Sequence, residues 1–279
     1  MKKILLSVAA LAVSAGSALA ADLPNKKSAP VYVPPPPALT WTGFYVGLNA
    51  GYTFGDSNTL TYSTYSNAGL VGFPLFQNAG VFPGSSSLNN DGFIGGGQVG
   101  YNWQFNNNFV AGIEADIQGV ATGSSSSILI GAGGFAATQV TRSLDYLGTV
   151  RGRLGYLITP TLLLYGTGGL AYGQANLSTA FANPGAGLFA ASSFSDTRVG
   201  WTAGGGLEWA FLPNWSAKVE YLYYDLGSVA TPTAVLSGAG VGNGLSTGYI
   251  ANAKFNGHIV RAGLNYHFNW GAAPVVAKY

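Results

Sequence analysis

The sequence of 279 residues is poor in charge: 8% of its residues are charged, 13% are aromatic, and the formal net charge is +2. Soluble domains carry about 25% charged residues, so the composition indicates a protein that exposes apolar surface. The absence of cysteine excludes a disulfide-stabilised fold. A chain so close to neutral gives no reason to expect nucleic acid as a partner.

The N-terminus is typical of an export signal. Lys2-Lys3 precede the apolar run 4–13, and Ala18-Leu19-Ala20 provides the small-residue pattern that signal peptidase cleaves. The apolar run is shorter than the roughly 20 residues that a membrane-spanning helix needs. We therefore predict a signal peptide over residues 1–20.

Residues 21–40 are predicted to form a proline-rich periplasmic tether. Lys26-Lys27 and the run Pro34-Pro35-Pro36-Pro37 cannot pair in a sheet, and the prolines favour an extended polyproline conformation. The segment is interpreted either as a spacer or as a docking peptide for a periplasmic partner.

From Trp41 onward, apolar and polar residues alternate in segments of strand length. In lipid, backbone polar groups are satisfied only in helices or closed barrels, and no apolar helix is predicted. Eight segments are long enough for a tilted strand to cross a bilayer: 42–54, 91–105, 109–119, 143–158, 162–175, 196–211, 215–226 and 255–268. The predicted fold class is therefore all-β, an eight-stranded antiparallel transmembrane β-barrel over residues 41–268, followed by a periplasmic extension over 269–279.

The connections between the predicted strands alternate in length. Asn106-Asn107-Asn108, Thr159-Pro160-Thr161 and Leu212-Pro213-Asn214 have the composition of tight turns. The other four connections run roughly 19 to 36 residues, and they are low in charge and rich in Gly, Ser and Asn. Short turns on one side and long loops on the other are typical of outer-membrane barrels. The pattern predicts periplasmic turns, periplasmic termini and four extracellular loops.

Alternation assigns the side chains of each strand to two faces. Apolar residues of one parity are expected to face lipid, because a charge there costs a few kcal/mol at the bilayer midplane. The opposite parity is expected to face the lumen, and its charged members are Glu114, Asp116, Asp145, Glu208, Glu220, Arg151, Arg153, Arg198, Lys218 and Arg261. Eight strands leave just enough room for side chains, so we expect these acids and bases to pair as a polar plug. Solvated charges in an open channel are the alternative.

Aromatic residues collect near the ends of the predicted strands. Near the tight turns lie Trp41, Tyr45, Trp103, Tyr156, Trp209, Phe211 and Trp215, and toward the loops lie Tyr223 and Tyr224. We expect them to belong to the aromatic girdles that mark the two membrane interfaces.

The sequence predicts no catalytic, metal or cofactor site. Residues 95–100 match a Gly-rich nucleotide-binding string, but they lie inside an alternating strand and not before a helix. His258 and His267 lie about 30 Å apart along one strand, too far to share a metal. We therefore expect no cofactor and no enzyme; a lipid-modifying site that uses a serine with His258 at the outer side is left open.

The motif Trp41-Thr42-Gly43-Phe44-Tyr45-Val46-Gly47, followed by Asn49-Ala50-Gly51-Tyr52, resembles the first strand of the alphaproteobacterial outer-membrane immunogenic proteins, the OmpA-like small β-barrel porin family. Ala21-Asp22-Leu23-Pro24 and the ending Gly263-Leu264-Asn265-Tyr266-His267-Phe268-Asn269-Trp270 are similar to that family as well. The resemblance implies an abundant surface protein, often described as a porin, that supports envelope integrity and is recognised by host immunity. It implies no catalytic residues.

Three functions are compatible with the sequence. The first is a structural and surface-interaction protein, the second a narrow porin for ions or small solutes, and the third a receptor or adhesin that binds ligands through its loops. Balanced lumen charge favours the first over the second. The expected partners are outer-membrane lipid and lipopolysaccharide, the barrel-assembly machinery, which reads a C-terminal aromatic (Phe268 or Tyr279), and surface ligands of the loops.

Overall fold

The computed structural model describes residues 39–56, 59–66, 85–88, 91–121, 125–130, 137–235, 237–238 and 247–268. The predicted signal peptide, the C-terminal extension and most of the tether lie outside these ranges. No described helix is both long and apolar enough to cross a membrane. The described strands are β1 (Gly43–Gly55), β2 (Thr59–Ser66), β3 (Ser85–Ser87), β4 (Gly92–Phe105), β5 (Phe109–Ala121), β6 (Ser125–Ile130), β7 (Ala137–Thr159), β8 (Leu162–Asn183), β9 (Leu188–Leu212), β10 (Trp215–Ala230), β11 (Ala234–Val235), β12 (Ser237–Gly238) and β13 (Thr247–Phe268).

Eight of these strands form a closed antiparallel ring. Its order is β1-β4-β5-β7-β8-β9-β10-β13, and β13 pairs back onto β1 from Phe44↔Phe268 to Gly55↔Gly257. Each of the eight strands therefore has a neighbour on both sides, which satisfies the backbone hydrogen bonds without an open sheet edge. The predicted eight-stranded antiparallel barrel is confirmed.

Three tight turns join strands at one end of the ring, which we call the turn end. Asn106 and Asn107 adopt the left-handed backbone conformation, with φ of 47° and 62°, which asparagine tolerates better than most residues. Pro160-Thr161 and Pro213-Asn214 form the other two turns. All three positions agree with the prediction, and the opposite end of the ring is called the loop end.

Several strands continue well past their predicted limits at the loop end. β8 runs to Asn183 and β9 starts at Leu188, with a short 3-10 turn over Pro184–Ala186 between them. The long loop expected between residues 175 and 196 is therefore wrong; the segment is a paired β-hairpin. This hairpin is one part of a larger structure that we call the loop-end extension. The extension also includes the loop-end parts of β7 and β13 and the short strands β2, β3, β6, β11 and β12.

Within the ring, the two faces of the strands follow the predicted alternation. Ile113 and Leu154 point outward and are 56% and 61% exposed, whereas Glu114 and Arg151 point inward and are 2% and 1% exposed. A contiguous outer surface of large apolar side chains is unfavourable in water, so this surface is suited to contact with lipid.

Candidate functional site: the barrel lumen and the loop-end extension

Arg151 on β7 lies at the centre of a charged network inside the barrel. Its buried guanidinium lies 2.9 Å from carboxylate oxygens of Asp116 and of Glu220, and it also contacts Glu114. Its Nε donates a hydrogen bond to the hydroxyl of Thr149. Because β5 and β10 lie on opposite sides of the ring, this one cation links carboxylates across the whole lumen.

Two further cations share the same carboxylates. Arg261 donates from Nε to Glu220 at 2.7 Å, and its Nη2 lies 2.9 Å from Asp116. The Nζ of Lys218 lies 2.8 Å from Glu114. The three cations and three carboxylates therefore form one continuous cluster.

Arg153 extends the network toward the turn end. Its Nη2 donates to Glu208 at 2.6 Å, and its Nη1 donates to the hydroxyl of Tyr45 at 3.0 Å. Its guanidinium carbon also lies 4.1 Å above the ring of Tyr165, which is a favourable cation–π distance. Both hydrogen-bond partners and one ring thus fix a single orientation of this side chain.

The network is electrically neutral and buried. Its charged members, each at most 5% exposed, are Glu114, Asp116, Glu208, Glu220, Arg151, Arg153, Lys218 and Arg261. Tyr45 on β1, Gln98 on β4 and Tyr165 on β8 join it through hydrogen bonds, so that every strand of the ring contributes a side chain. Opposite charges in this arrangement offset part of each other's desolvation cost.

Two of the ten residues predicted for the lumen network lie outside it. Asp145 is exposed and accepts a hydrogen bond from Ser143, so its placement in the lumen is wrong. The cause is a register shift in β7 between Leu144 and Leu147, which exchanges the two faces of the strand. Arg198 is half-buried near the loop end and donates to the backbone carbonyl of Ser228, and none of the ion pairs among the described residues of the network includes it.

The same register shift places an unpredicted cation inside. Arg142 is 1% exposed, its guanidinium lies 4.4 Å from the ring centre of Phe255, and it donates to the carbonyl of Lys254. Arg142 lies one residue before the predicted strand 143–158, so the predicted alternation does not assign it to a face. The inward apolar neighbours Val140 and Leu144 were the sequence signal that could have revealed the change of parity.

An apolar core fills the interior above the charged network, toward the loop end. Its members include Leu60, Ile94, Val140, Leu144, Leu147, Leu177, Phe181, Leu222, Tyr249, Phe255 and Ile259. Burial among them raises the pKa of Tyr62 to about 12, so this phenol is neutral at any physiological pH. The interior of the loop-end extension is thus packed in the manner of a water-soluble protein.

At the same height along the barrel, the outer surface changes from apolar to polar. Along β8, exposed Leu164 and Leu170 give way to Asn176 and Ser178, while the inward neighbour at this height is Leu177. An apolar exterior with a charged interior therefore becomes a polar exterior with an apolar interior. This inversion marks the height at which the barrel leaves the hydrocarbon, since apolar side chains turn away from water.

A second apolar seal closes the turn end. Trp41 is 3% exposed, its indole N–H donates to the carbonyl of Pro160 at 3.1 Å, and its backbone N–H donates to Gln104. It packs with Val110 and Leu163 inside the mouth of the barrel. The expected placement of Trp41 and Tyr45 in an interfacial girdle is therefore wrong, because both side chains point into the lumen. The same placement of Tyr224 is wrong as well, since this residue is 1% exposed and belongs to the apolar core at the loop end.

The two histidines occupy separate places. The Nε2 of His267 lies 2.8 Å from the hydroxyl of Ser216 and 3.4 Å from Glu208, at the turn-end side of the network. His258 lies on the outer face, where its Nδ1 is 2.6 Å from the hydroxyl of Tyr221 and its Nε2 is 3.6 Å from Asp56. The described contacts of His258 include no serine.

The connections at the loop end carry almost no charge. Residues 57–90, 120–141, 174–195 and 227–253 contain no Asp, Glu, Lys, Arg or His. The charges nearest to these segments lie at their edges, as in the half-buried ion pair of Lys254 with Asp225 at 3.0 Å. The side chains of these four segments therefore offer hydroxyl, amide, aromatic and aliphatic groups but no charge.

Residues 6–268 match the family described as outer membrane protein beta-barrel domain, and the chain belongs to this family. It is 40% identical to the 31 kDa outer-membrane immunogenic protein of Brucella melitensis biotype 1, over 96% of this chain and 100% of that protein. It is 32% identical to the 22 kDa outer membrane protein of Rhizobium leguminosarum bv. viciae, over 70% of this chain and 69% of that protein. The predicted family resemblance is confirmed, and the protein is an outer-membrane β-barrel.

Among solved structures, the chain is similar to the outer membrane protein OprG from Pseudomonas aeruginosa. The sequences are 11% identical, the match covers 81% of this chain and 97% of that one, and the TM-score is 0.40.

Proposed function

We propose that this protein is a sealed, non-conducting barrel that supports the outer membrane and displays an uncharged surface extension. The observation that carries the proposal is the filling of the lumen in three consecutive layers. Trp41 and its apolar neighbours close the turn end, the neutral network around Arg151 fills the middle, and the apolar core closes the loop end.

The composition of these layers argues against the alternative of a narrow porin. A selective pore lines its constriction with charge of one sign or with carbonyl groups that replace hydration. Here four acids and four bases are paired within hydrogen-bond distance, so an ion would have to separate buried pairs to pass.

A structural role also fits the way the chain enters the barrel. The hydrogen bonds of Trp41 to Gln104 and Pro160 join the start of β1 to the turn end of β4 and to the turn between β7 and β8. Tension on the preceding proline-rich segment is therefore distributed over several strands of the ring. We propose that this anchor lets the predicted tether connect the barrel to the periplasmic layer of the envelope.

A catalytic role is not part of this proposal. The Nε2 of His267 contacts Ser216 and Glu208 inside the network, and His258 contacts two tyrosines and Asp56 on the outer surface. Lipid, lipopolysaccharide and the assembly machinery are the partners that such a barrel would meet.

Planar-bilayer recording of the folded protein tests the proposal. Folding is first verified by the difference in gel migration between boiled and unboiled samples, so that a silent bilayer is not a failure of folding. We expect no steady single-channel steps from the wild type. Large, stable currents that persist in Arg151→Ala would contradict the plug and support the porin.

A further inference from the structure

Three polar atoms at the loop-end side of the charged network have no hydrogen-bond partner among the described residues. They are the Oδ1 of Asn49 on β1, the Oε1 of Gln118 on β5 and the Nη1 of Arg261 on β13. All three residues are at most 5% exposed. Buried polar atoms are satisfied in the large majority of cases, by protein or by ordered water. Three such atoms in one place therefore indicate a ligand that supplies the remaining hydrogen bonds.

A chain of amide groups fixes which atom of Asn49 is left over. Glu208 accepts a hydrogen bond from the Nδ2 of Asn265, whose Oδ1 accepts from the Nε2 of Gln98. The Oε1 of Gln98 accepts in turn from the Nδ2 of Asn49 at 3.0 Å. Because the ionised carboxylate at the start of the chain can only accept, every amide in it has one orientation. Asn49 therefore ends the chain with a carbonyl oxygen, which is an acceptor.

The carboxylate of Asp116 holds Gln118 and Arg261 side by side. The Nε2 of Gln118 donates to one of its oxygens at 3.0 Å, and the Nη2 of Arg261 donates to the other at 2.9 Å. Since the carboxylate only accepts, the atom of Gln118 that is left over is again a carbonyl oxygen. The Nε of Arg261 donates to Glu220, so the Nη1 of this guanidinium remains as a donor.

The strand register brings Asn49 to the same place. Asn49 pairs with Gly96, and Gly96 pairs with Gln118, so the two amides lie in one row across three neighbouring strands. Neighbouring strands lie about 4.8 Å apart, and the glycine between the two amides has no side chain. Arg261 pairs with Gly51, which lies two residues after Asn49 on β1. The three polar groups therefore converge on the inner surface of β1, β4 and β5.

The chemistry of the three groups selects the class of ligand. A metal cation is disfavoured next to the guanidinium of Arg261, and an anion is disfavoured next to the carbonyl oxygens of Asn49 and Gln118. A water molecule accepts one hydrogen bond and donates two, which matches one N–H donor and two carbonyl acceptors. Buried water molecules typically make about three hydrogen bonds to groups that have no other partner.

We propose that Asn49, Gln118 and Arg261 bind one ordered water molecule inside the barrel. The water accepts a hydrogen bond from the Nη1 of Arg261 and donates to the carbonyl oxygens of Asn49 and Gln118, so it joins the chain of amides to the cluster of acids and bases. Ile94 and Ile259 of the apolar core follow on the loop-end side, so the water is enclosed. The enclosure rests on the proposed sealed lumen, whereas the binding site does not.

Magnetic cross-relaxation between water and the folded wild-type protein tests the site. The reporters are the side-chain amide protons of Asn49 and Gln118 in isotope-labelled protein, folded in deuterated detergent micelles. We expect both amides to show cross-peaks to water whose NOE and ROE have opposite signs, the signature of a bound water molecule. No such cross-peak at either amide would overturn the proposal, and a silent planar bilayer would then still support the sealed barrel. Water cross-peaks that extend to the methyl groups of Leu222 and Ile259 would show a continuous water column, which contradicts both the enclosed water and the sealed barrel.

Reciprocal variants test whether the two amides share one water molecule. Asn49→Leu is expected to abolish the water cross-peak of Gln118, and Gln118→Met that of Asn49, because the described side-chain hydrogen bonds of the two amides go to different partners. The matched control Gln174→Met removes an amide that donates to Ser195 on the outer surface and is expected to leave both cross-peaks unchanged. The gel shift verifies that each variant folds, and if one does not fold, the other decides. A cross-peak that persists in the folded variant, or the loss of both cross-peaks in the control, would overturn the shared water site.

Discussion

Replacement of Arg151 by methionine measures how strongly the charged network stabilises the barrel. Methionine fills much of the same space without charge, so the change removes the contacts to Glu114, Asp116 and Glu220 without a large cavity. Removing one partner of a buried pair costs about 3–5 kcal/mol. Asp116 and Glu220 keep Arg261, and Glu114 keeps Lys218, so we expect the loss to stay within that range.

The assay is unfolding by guanidinium in phospholipid vesicles, followed by tryptophan fluorescence and by the gel shift between folded and unfolded barrel. The matched control is Arg198→Met, which removes the same charge from a half-buried arginine outside the network and is expected to cost less than about 1 kcal/mol. The double variant Arg151→Met with Asp116→Asn restores neutrality and is expected to recover part of the loss. Equal destabilisation by Arg151→Met and Arg198→Met would refute the network as the source of stability.

Further substitutions test the two seals and the corrected face assignment by the same unfolding assay. Trp41→Ala removes the turn-end seal and is expected to cost about 3–5 kcal/mol, whereas full stability would mean that the indole does not pack in the mouth. Leu177→Asn puts an unpaired amide into the loop-end core at a cost of about 3 kcal/mol or more, while the neighbouring Asn176→Leu on the outer face is expected to change stability by about 1 kcal/mol; similar effects would contradict the inversion of the faces. Asp145→Asn is expected to be neutral within about 0.5 kcal/mol, and a loss comparable with that of Arg151→Met would return Asp145 to the lumen. N-terminal sequencing of protein from the outer membrane is expected to begin at Ala21.

Alternation and turn chemistry were sufficient to predict the ring of strands. The tight turns at Asn106-Asn107 and Pro160-Thr161 follow from residues whose backbone preferences are local. The inward placement of Glu114 and Arg151 follows from a two-residue period that every transmembrane strand must keep. Turn preference and alternation both depend on residues that are neighbours in the sequence. They can therefore be predicted without knowledge of contacts between distant residues.

The limits of the strands could not be predicted in the same way. The predicted strand ends at Ala175, although β8 continues to Asn183. Beyond the hydrocarbon the exterior faces water, so the alternation continues with polar residues pointing outward and apolar residues pointing inward. The pattern was present in the sequence, but its meaning depends on the height of each residue relative to the membrane, which is set by the assembled barrel.

The sequence by itself determined the class of fold, the number of strands and the parity of most lumen residues, because these depend on composition and on a period of two. The tertiary structure alone decided which charges meet, because Glu114 and Lys218 are brought together by strands that are distant in the chain. It also decided the exceptions, since the register shift beside Leu144 exchanged Asp145 for Arg142 in the interior. A shift of one residue reverses every side chain beyond it, and its position is fixed by pairing with neighbouring strands.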